Sequence, residues 1–169
     1  MKYLFVDDQP NYLNPHKKIL KNAGHEVTTT RDLDAAWAWI EKERKADQPF
    51  DLVLIDLGLD RKVSEFKKED EELREDLLSR GHGDIPISGQ VLGLRLWRRR
   101  KELQQRYCYV TNYSYLWVEK FDEQNPEFGG KGLEVLKDTL MLNKSELWSD
   151  NVEEKFQRAH QKWQEEGWL

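Results

Sequence analysis

The sequence has one cysteine, Cys108, among 169 residues. A lone thiol excludes an intramolecular disulfide and a cysteine-built metal cage. Within Tyr107-Cys108-Tyr109-Val110 it reads as a buried, inert side chain. No apolar stretch approaches the length needed to span a bilayer, and Met1-Lys2-Tyr3 leads straight into an apolar strand, leaving no signal peptide. The expectation is a cytoplasmic protein with no membrane contact. Internal repeats and low-complexity linkers are missing too. There is also no strong excess of one charge: 27 Lys+Arg against 32 Asp+Glu leave a formal net charge of −5, which argues against direct nucleic-acid binding. The one basic run, Arg98-Arg99-Arg100-Lys101, reads as an exposed helix end, where the helix dipole favours cations.

What the chain does have is charge, at 35 % of residues, so the core is modest and much of the surface is solvated helix. Its length suits a single domain spanning 1–169. Two short apolar runs end in acids: Tyr3-Leu4-Phe5-Val6 closes on Asp7-Asp8, and Leu52-Val53-Leu54-Ile55 closes on Asp56. Such runs read as buried strands of a parallel sheet, and in open α/β sheets the functional crevice lies beyond the carboxyl ends of the strands. Three carboxylates gathered there repel one another unless a cation, a proton or a transferred group holds them. That combination points to Mg²⁺ and phosphoryl chemistry.

The remaining pattern alternates. Pro10 and Asn11 break the chain before a helix carrying Leu13, His16, Leu20 and Ala23, ended by Gly24. Glu26-Val27-Thr28-Thr29 is a short strand, and Asp32 caps a helix with Leu33, Ala36, Trp37 and Ile40 on one face. This β-α-β-α-β order predicts helical crossovers on a parallel sheet. A segment of about 60–87 interrupts the rhythm. It is dense in Lys and Glu, with Phe66, Leu73 and Leu77 as a sparse apolar line, and reads as a charged helical insertion in a βα loop, either a solvated lid or spacer or a partner-docking arm. Gly81-His82-Gly83-Asp84-Ile85-Pro86 makes its irregular return. Leu92, Leu96 and Leu103 then line a helix, and Tyr107 to Val110 forms a fourth strand ending at Thr111. Leu133-Glu134-Val135-Leu136 is predicted as a fifth strand ending at Lys137, and Asp150 with Glu153 as a capping box for a last helix bearing Val152, Phe156, Ala159 and Trp163.

The polar residues closing the strands form a set: Asp7 and Asp8, Asp56, Thr111, Lys137. Leu4-Phe5-Val6-Asp7-Asp8-Gln9-Pro10 and Asp51-Leu52-Val53-Leu54-Ile55-Asp56, with Val110-Thr111-Asn112 and Val135-Leu136-Lys137 as looser matches, resemble the receiver domain of two-component response regulators. The resemblance covers nearly the whole chain outside the insertion. It implies a flavodoxin-like fold: five parallel strands in the order 2-1-3-4-5 with helices on both faces. It also implies a phosphoacceptor switch rather than a turnover enzyme. Asp56 would be the acceptor, Asp7, Asp8, Asp56 and the Gly58 carbonyl would hold Mg²⁺, Lys137 would pair with Asp56, and Thr111 would donate to the new phosphoryl group. Implied partners are a histidine kinase or phosphotransfer protein and a downstream protein, met around the fourth helix and fifth strand. No room is left after the last helix for an output domain, so a stand-alone receiver is expected.

The chain also departs from the family pattern. Leu57-Gly58-Leu59-Asp60 lacks the proline usual past the acceptor, and Asn112 replaces a small residue. Glu134 stands where an aromatic switch residue is usual, leaving Tyr113 or Tyr115 as substitutes, and Asp138 follows Lys137 in place of proline. The insertion, Glu134 and Asp138 favour a rival reading, a pseudo-receiver that docks proteins without phosphorylation; the retained Asp7, Asp8, Asp56, Thr111 and Lys137 oppose it. A haloacid-dehalogenase-like phosphohydrolase would need a second aspartate two positions past Asp56, where Gly58 stands. Trp148, Trp163 and Trp168 read as packing for the last helix or as an aromatic partner face, through which a homodimer is conceivable.

Overall fold

Apolar runs covered on both faces build the central sheet. The computed structural model describes residues 1–59, 64–82 and 87–169. In it β1 (Lys2–Val6), β3 (Leu52–Ile55) and β6 (Tyr107–Thr111) are buried almost throughout. The edges are β2 (Glu26–Thr30) and β7 (Met141–Asn143). All pairings are parallel and the order is β2-β1-β3-β6-β7, which is the expected 2-1-3-4-5 when only this sheet's strands are counted. The order reverses between β1 and β3, so the crevice at their carboxyl ends is the switch point of the sheet. The register there sets Val6 opposite Ile55, so Asp7 and Asp56 emerge side by side.

Helices cover both faces. A 3₁₀ turn at Pro10–Leu13 leads into α1 (Asn14–Asn22), and α2 (Leu33–Lys45) is capped by Asp32, whose carboxylate accepts from the Ala35 N–H at 2.7 Å. A two-stranded antiparallel ribbon, β4 (Gly58–Leu59) with β5 (Ile87–Ser88), brackets α3 (Lys67–Ser79). Then come α4 (Gln90–Arg98), α5 (Arg100–Leu103), α6 (Leu133–Leu136) and α7 (Val152–Glu165).

The charged insertion does contain a helix, α3, whose sparse apolar line packs against the body of the protein. Phe66, Leu73 and Leu77 are buried, and α3 lies along α4. Arg95 of α4 bonds Glu69 and Glu65 at 2.8 and 2.9 Å and stacks 4.0 Å from the Phe66 ring centre. Covered by the sheet on one side and by α3 on another, α4 is buried along most of its length, and its residues are correspondingly largely apolar. The start of the insertion and its return at 83–86 lie outside the described residues.

The fifth strand is not where the sequence pattern puts it. Leu133–Leu136 is one helical turn after Gly132, with only Leu136 buried and Val135 57 % exposed. Four residues are too few for periodicity to separate a strand from a turn, and Leu133 and Leu136 share a face at helical spacing. The chain reverses at Asp138, whose φ is +62°, and Met141–Asn143 enters the sheet instead. The capping box is also absent. Asn151 is the residue before α7, its side-chain Oδ1 accepts from the Trp148 N–H at 2.8 Å, and Glu153 is used by His25 at 3.0 Å.

The remaining aromatics and cations settle into packing. Trp163 is buried and Trp168 packs 5.2 Å from both Trp97 and Trp163, whereas Trp148 is 60 % exposed. Cys108 is fully buried, and burial pushes its thiol well up. In the basic run, Arg98 faces Asp122 at 3.6 Å, Arg99 binds Glu102, and Arg100 stacks 4.0 Å from the Trp97 ring centre. No helix among the described residues is long and apolar enough to cross a membrane.

Candidate functional site

The parallel register delivers the site. Asp7 follows β1, with its N–H bonded to the Thr30 carbonyl at 3.1 Å, and Asp56 follows β3, with its N–H on the Val6 carbonyl at 2.9 Å. Their backbones are locked to neighbouring strands, so the carboxylates have little freedom to move apart. Asp7, Asp8 and Asp56 each offer an oxygen, and these oxygens all lie within 4.8 Å of one another. Asp7 and Asp56 are buried; Asp8 is half-buried.

The cation beside them is Lys144. Its ammonium lies 2.5 Å from Asp56 Oδ2 and 2.7 Å from Asp7 Oδ2, and it is 7 % exposed. Lys137, the expected partner of Asp56, is exposed at the end of α6 instead. The displacement follows from the misplaced strand: the residue that closes a strand reaches the crevice, and the strand here is Met141–Asn143. The signal for Lys144 is present in Leu140-Met141-Leu142-Asn143-Lys144, but that run is short and lacks β-branched residues, so it reads weakly as a strand. With the strand reassigned, Glu134 and Asp138 lose the significance given them. The new strand carries no aromatic residue, and Ser145 follows the lysine.

Thr111 is buried at the end of β6 and its hydroxyl accepts from the Tyr113 N–H at 3.0 Å. Gly58 donates its N–H to Asp56 Oδ1 at 3.3 Å, and the ring of Tyr113 lies against it, 2.9 Å from where a Cβ would stand. Gly89, at the start of α4, is a requirement that sequence reasoning did not identify: a side chain there would collide with the Asp56 carbonyl oxygen.

Burial and close charges shape the electrostatics of the cluster. Burial raises the Asp56 pKa, and the Asp7 carboxylate adds to it against the pull of Lys144 and Thr111. Burial lowers that of Lys144, but Asp56 and Asp7 outweigh it and the net shift is upward. Both groups therefore hold protons more tightly than usual. Asp7 and Asp56 share the Lys144 ammonium, and a divalent cation would relieve the repulsion that remains between carboxylates held this close. Asp7 Oδ2 is also buried without a hydrogen bond; Lys144 stands within ion-pair distance but off the hydrogen-bonding direction. An all-oxygen donor set with such an atom fits a hard cation.

No protein-family model matches this sequence, and no curated protein sequence does. Solved structures do match over nearly the full length. A response regulator receiver domain protein (CheY-like) from Methanospirillum hungatei JF-1 is 20 % identical, with 98 % of each chain covered and a TM-score of 0.56. The N-terminal domain of a response regulator/sensory box/GGDEF 3-domain protein from Carboxydothermus hydrogenoformans is 13 % identical, with 99 % of each chain covered and a TM-score of 0.52. A response regulator from Thermotoga maritima is 16 % identical over 95 % of this chain and 97 % of that one, with a TM-score of 0.51. At these identities the likeness speaks for the fold, and with the strand order and the acidic cluster it gives one answer: the chain has the CheY-like fold of a response-regulator receiver domain.

Proposed function

We propose that this protein is a phosphoacceptor that switches protein contacts, with Asp56 receiving the phosphoryl group. The observation carrying this reading is the position of Lys144, buried between Asp56 and Asp7 at the switch point of the sheet. A lysine in that place holds Asp56 ionised and oriented before transfer, and pairs with a phosphoryl oxygen afterwards. It takes over the role first read into Lys137.

Transfer forms a bond between an Asp56 carboxylate oxygen and phosphorus while the bond from phosphorus to the donor breaks. The donor is a phosphohistidine on a kinase or phosphotransfer protein, or a small acyl phosphate. Asp7 and Asp8, with Asp56 and the Gly58 carbonyl, are the residues to hold Mg²⁺, which supplies charge neutralisation on the transferring oxygens. The Thr111 hydroxyl, already hydrogen-bonded to the Asp56 carboxylate, would pass its proton's bond to the new group while keeping the bond it accepts from Tyr113.

Intact mass after incubation with acetyl phosphate and Mg²⁺ tests this reading. The expected result is one adduct of about 80 Da, dependent on Mg²⁺ and absent from Asp56→Asn. No adduct, together with no Mg²⁺ binding by titration, would leave the docking-only pseudo-receiver.

A further inference from the structure

The insertion is rooted in the acceptor site at both ends. Its outgoing stem is β4, where Gly58 donates to Asp56 Oδ1. Its returning stem is β5, paired residue for residue with β4 (Gly58 with Ser88, Leu59 with Ile87). Beyond β5, Gly89 donates to the Leu57 carbonyl at 2.9 Å and sits directly against the Asp56 carbonyl. The ribbon carrying α3 therefore shares its backbone with the loop that holds Asp56.

A second connection starts from Thr111. The bond from the Tyr113 N–H to the Thr111 hydroxyl ties the Tyr113 ring to Gly58. That ring meets Tyr115, 6.2 Å between centres, and Tyr115 meets His82, 6.1 Å between centres, just past the end of α3. Tyr113 and Tyr115 are 46 and 59 % exposed, so this row of rings lies on the surface and can shift without disturbing the core.

The face that receivers were expected to use is built differently. There α6 is a single turn, β7 has no aromatic residue, and the segment after β6 is tied down from inside. Gln90 both donates to and accepts from the Val118 backbone at 2.9 Å, and Glu127 takes four side-chain donors. By contrast α3 meets α4 from the surface, through Leu73 and Leu77 and through ion pairs of Arg95 with Glu69 and of Arg98 with Glu72, the latter partly exposed.

We infer that the insertion is the output element of this receiver: occupancy of Asp56 is transmitted to α3 through the β4–β5 ribbon and the Tyr113–Tyr115–His82 row. The inference rests on the phosphoacceptor reading. A phosphoryl oxygen that draws in the Thr111 hydroxyl carries Tyr113 with it, and contact between Tyr113 and Gly58 brings the ribbon along. The coupling is reciprocal, so whatever holds α3 changes the binding affinity at Asp56 by the same factor.

The test is hydrogen exchange on the full chain with Mg²⁺ alone and with Mg²⁺ plus beryllofluoride, a phosphoryl mimic whose attachment is followed separately by fluorine NMR. Exchange across residues 64–82 is expected to change by about fivefold or more on adduct formation, with less change in 121–132. Tyr115→Ala, at an exposed position outside the acceptor machinery, is expected to form the adduct normally while losing the response at residues 75–82. An adduct that leaves 64–82 unchanged would overturn the inference and leave the phosphoacceptor reading intact. An unchanged response in Tyr115→Ala would overturn the ring pathway. No adduct on the folded protein would remove the phosphoacceptor reading, and this inference with it.

Discussion

Two buried acidic centres adjoin β6, and they answer burial in opposite ways. At its carboxyl end, Asp7 and Asp56 share one cation, Lys144, and an oxygen of Asp7 is left without a hydrogen bond. On its side-chain face, Glu127 is fully saturated by neutral donors. Tyr107 and Tyr109 donate to Oε1, and Trp117 Nε1 and Gln90 Nε2 donate to Oε2 at 2.8 and 2.9 Å. Gly93 is required beside them because a Cβ would collide with the Tyr109 hydroxyl. A carboxylate with every lone pair taken is a fastener for the segment that follows β6. One with unmet valence is a site awaiting a charge. Burial alone does not mark function; the state of the partners does.

The sharpest way to break this comparison is at Lys144. Lys144→Ala is expected to slow adduct formation from acetyl phosphate by about a hundredfold or more, while Lys137→Ala, at an exposed helix end, leaves the rate unchanged. The mass-spectrometric time course decides; equal rates in both variants would return the two lysines to equivalence. Second, removing the saturated centre should be costly. Glu127→Ala strands four donors and is expected to lose about 3–5 kcal/mol in urea unfolding, whereas Asp56→Asn stays within about 1 kcal/mol because it relieves repulsion from Asp7.

Third, Mg²⁺ should stabilise one centre only. At a hundredfold excess over its dissociation constant it is expected to add about 2.7 kcal/mol, read as a rise in melting temperature that Asp7→Asn abolishes and Glu127→Gln keeps. The smallest effect concerns pH. Burial raises the Glu127 pKa above its ordinary 4.5, outweighing its donors, so the folded state holds that proton more tightly than the unfolded chain. The stability this contributes is full below pH 4.5 and is lost as pH rises through the folded value. Relative to Glu127→Gln, the wild-type protein is therefore expected to be most stable in acid, with the difference falling by up to about 1.4 kcal/mol per pH unit. A difference that grew with pH would show a carboxylate stabilised in its charged form.

Much of the fold was legible because its signals are local. Branched runs ending in acids mark β1 and β3, Asp32 caps α2, and the spacing of Val152, Phe156, Ala159 and Trp163 matches the buried face of α7. The errors gather between β6 and α7, where the runs are short. Leu133–Leu136 and Met141–Asn143 offer similar apolar content, and neither has a periodicity that separates turn from strand. The wrong choice there put the strand at Leu133–Leu136 in place of Met141–Asn143 and exchanged Lys144 for Lys137. The Glu127 centre went unnoticed for a different reason: its five side chains come from four separate segments, and no spacing rule joins Gln90, Tyr107, Tyr109, Trp117 and Glu127.

By itself the sequence determined the parallel sheet and the closing of its strands on Asp7, Asp8, Asp56 and Thr111, while the order of the strands came from the resemblance to receivers. The former follow from hydrophobic patterning and from where each strand stops, both properties of neighbouring residues. Only the tertiary structure decided that Lys144 is the buried cation, that the charged insertion packs on α4 while rooted at Asp56, and that Glu127 is a fastener. Each of these depends on which distant segment fills the space beside a residue, and burial turns that neighbour into the energetic fact that matters.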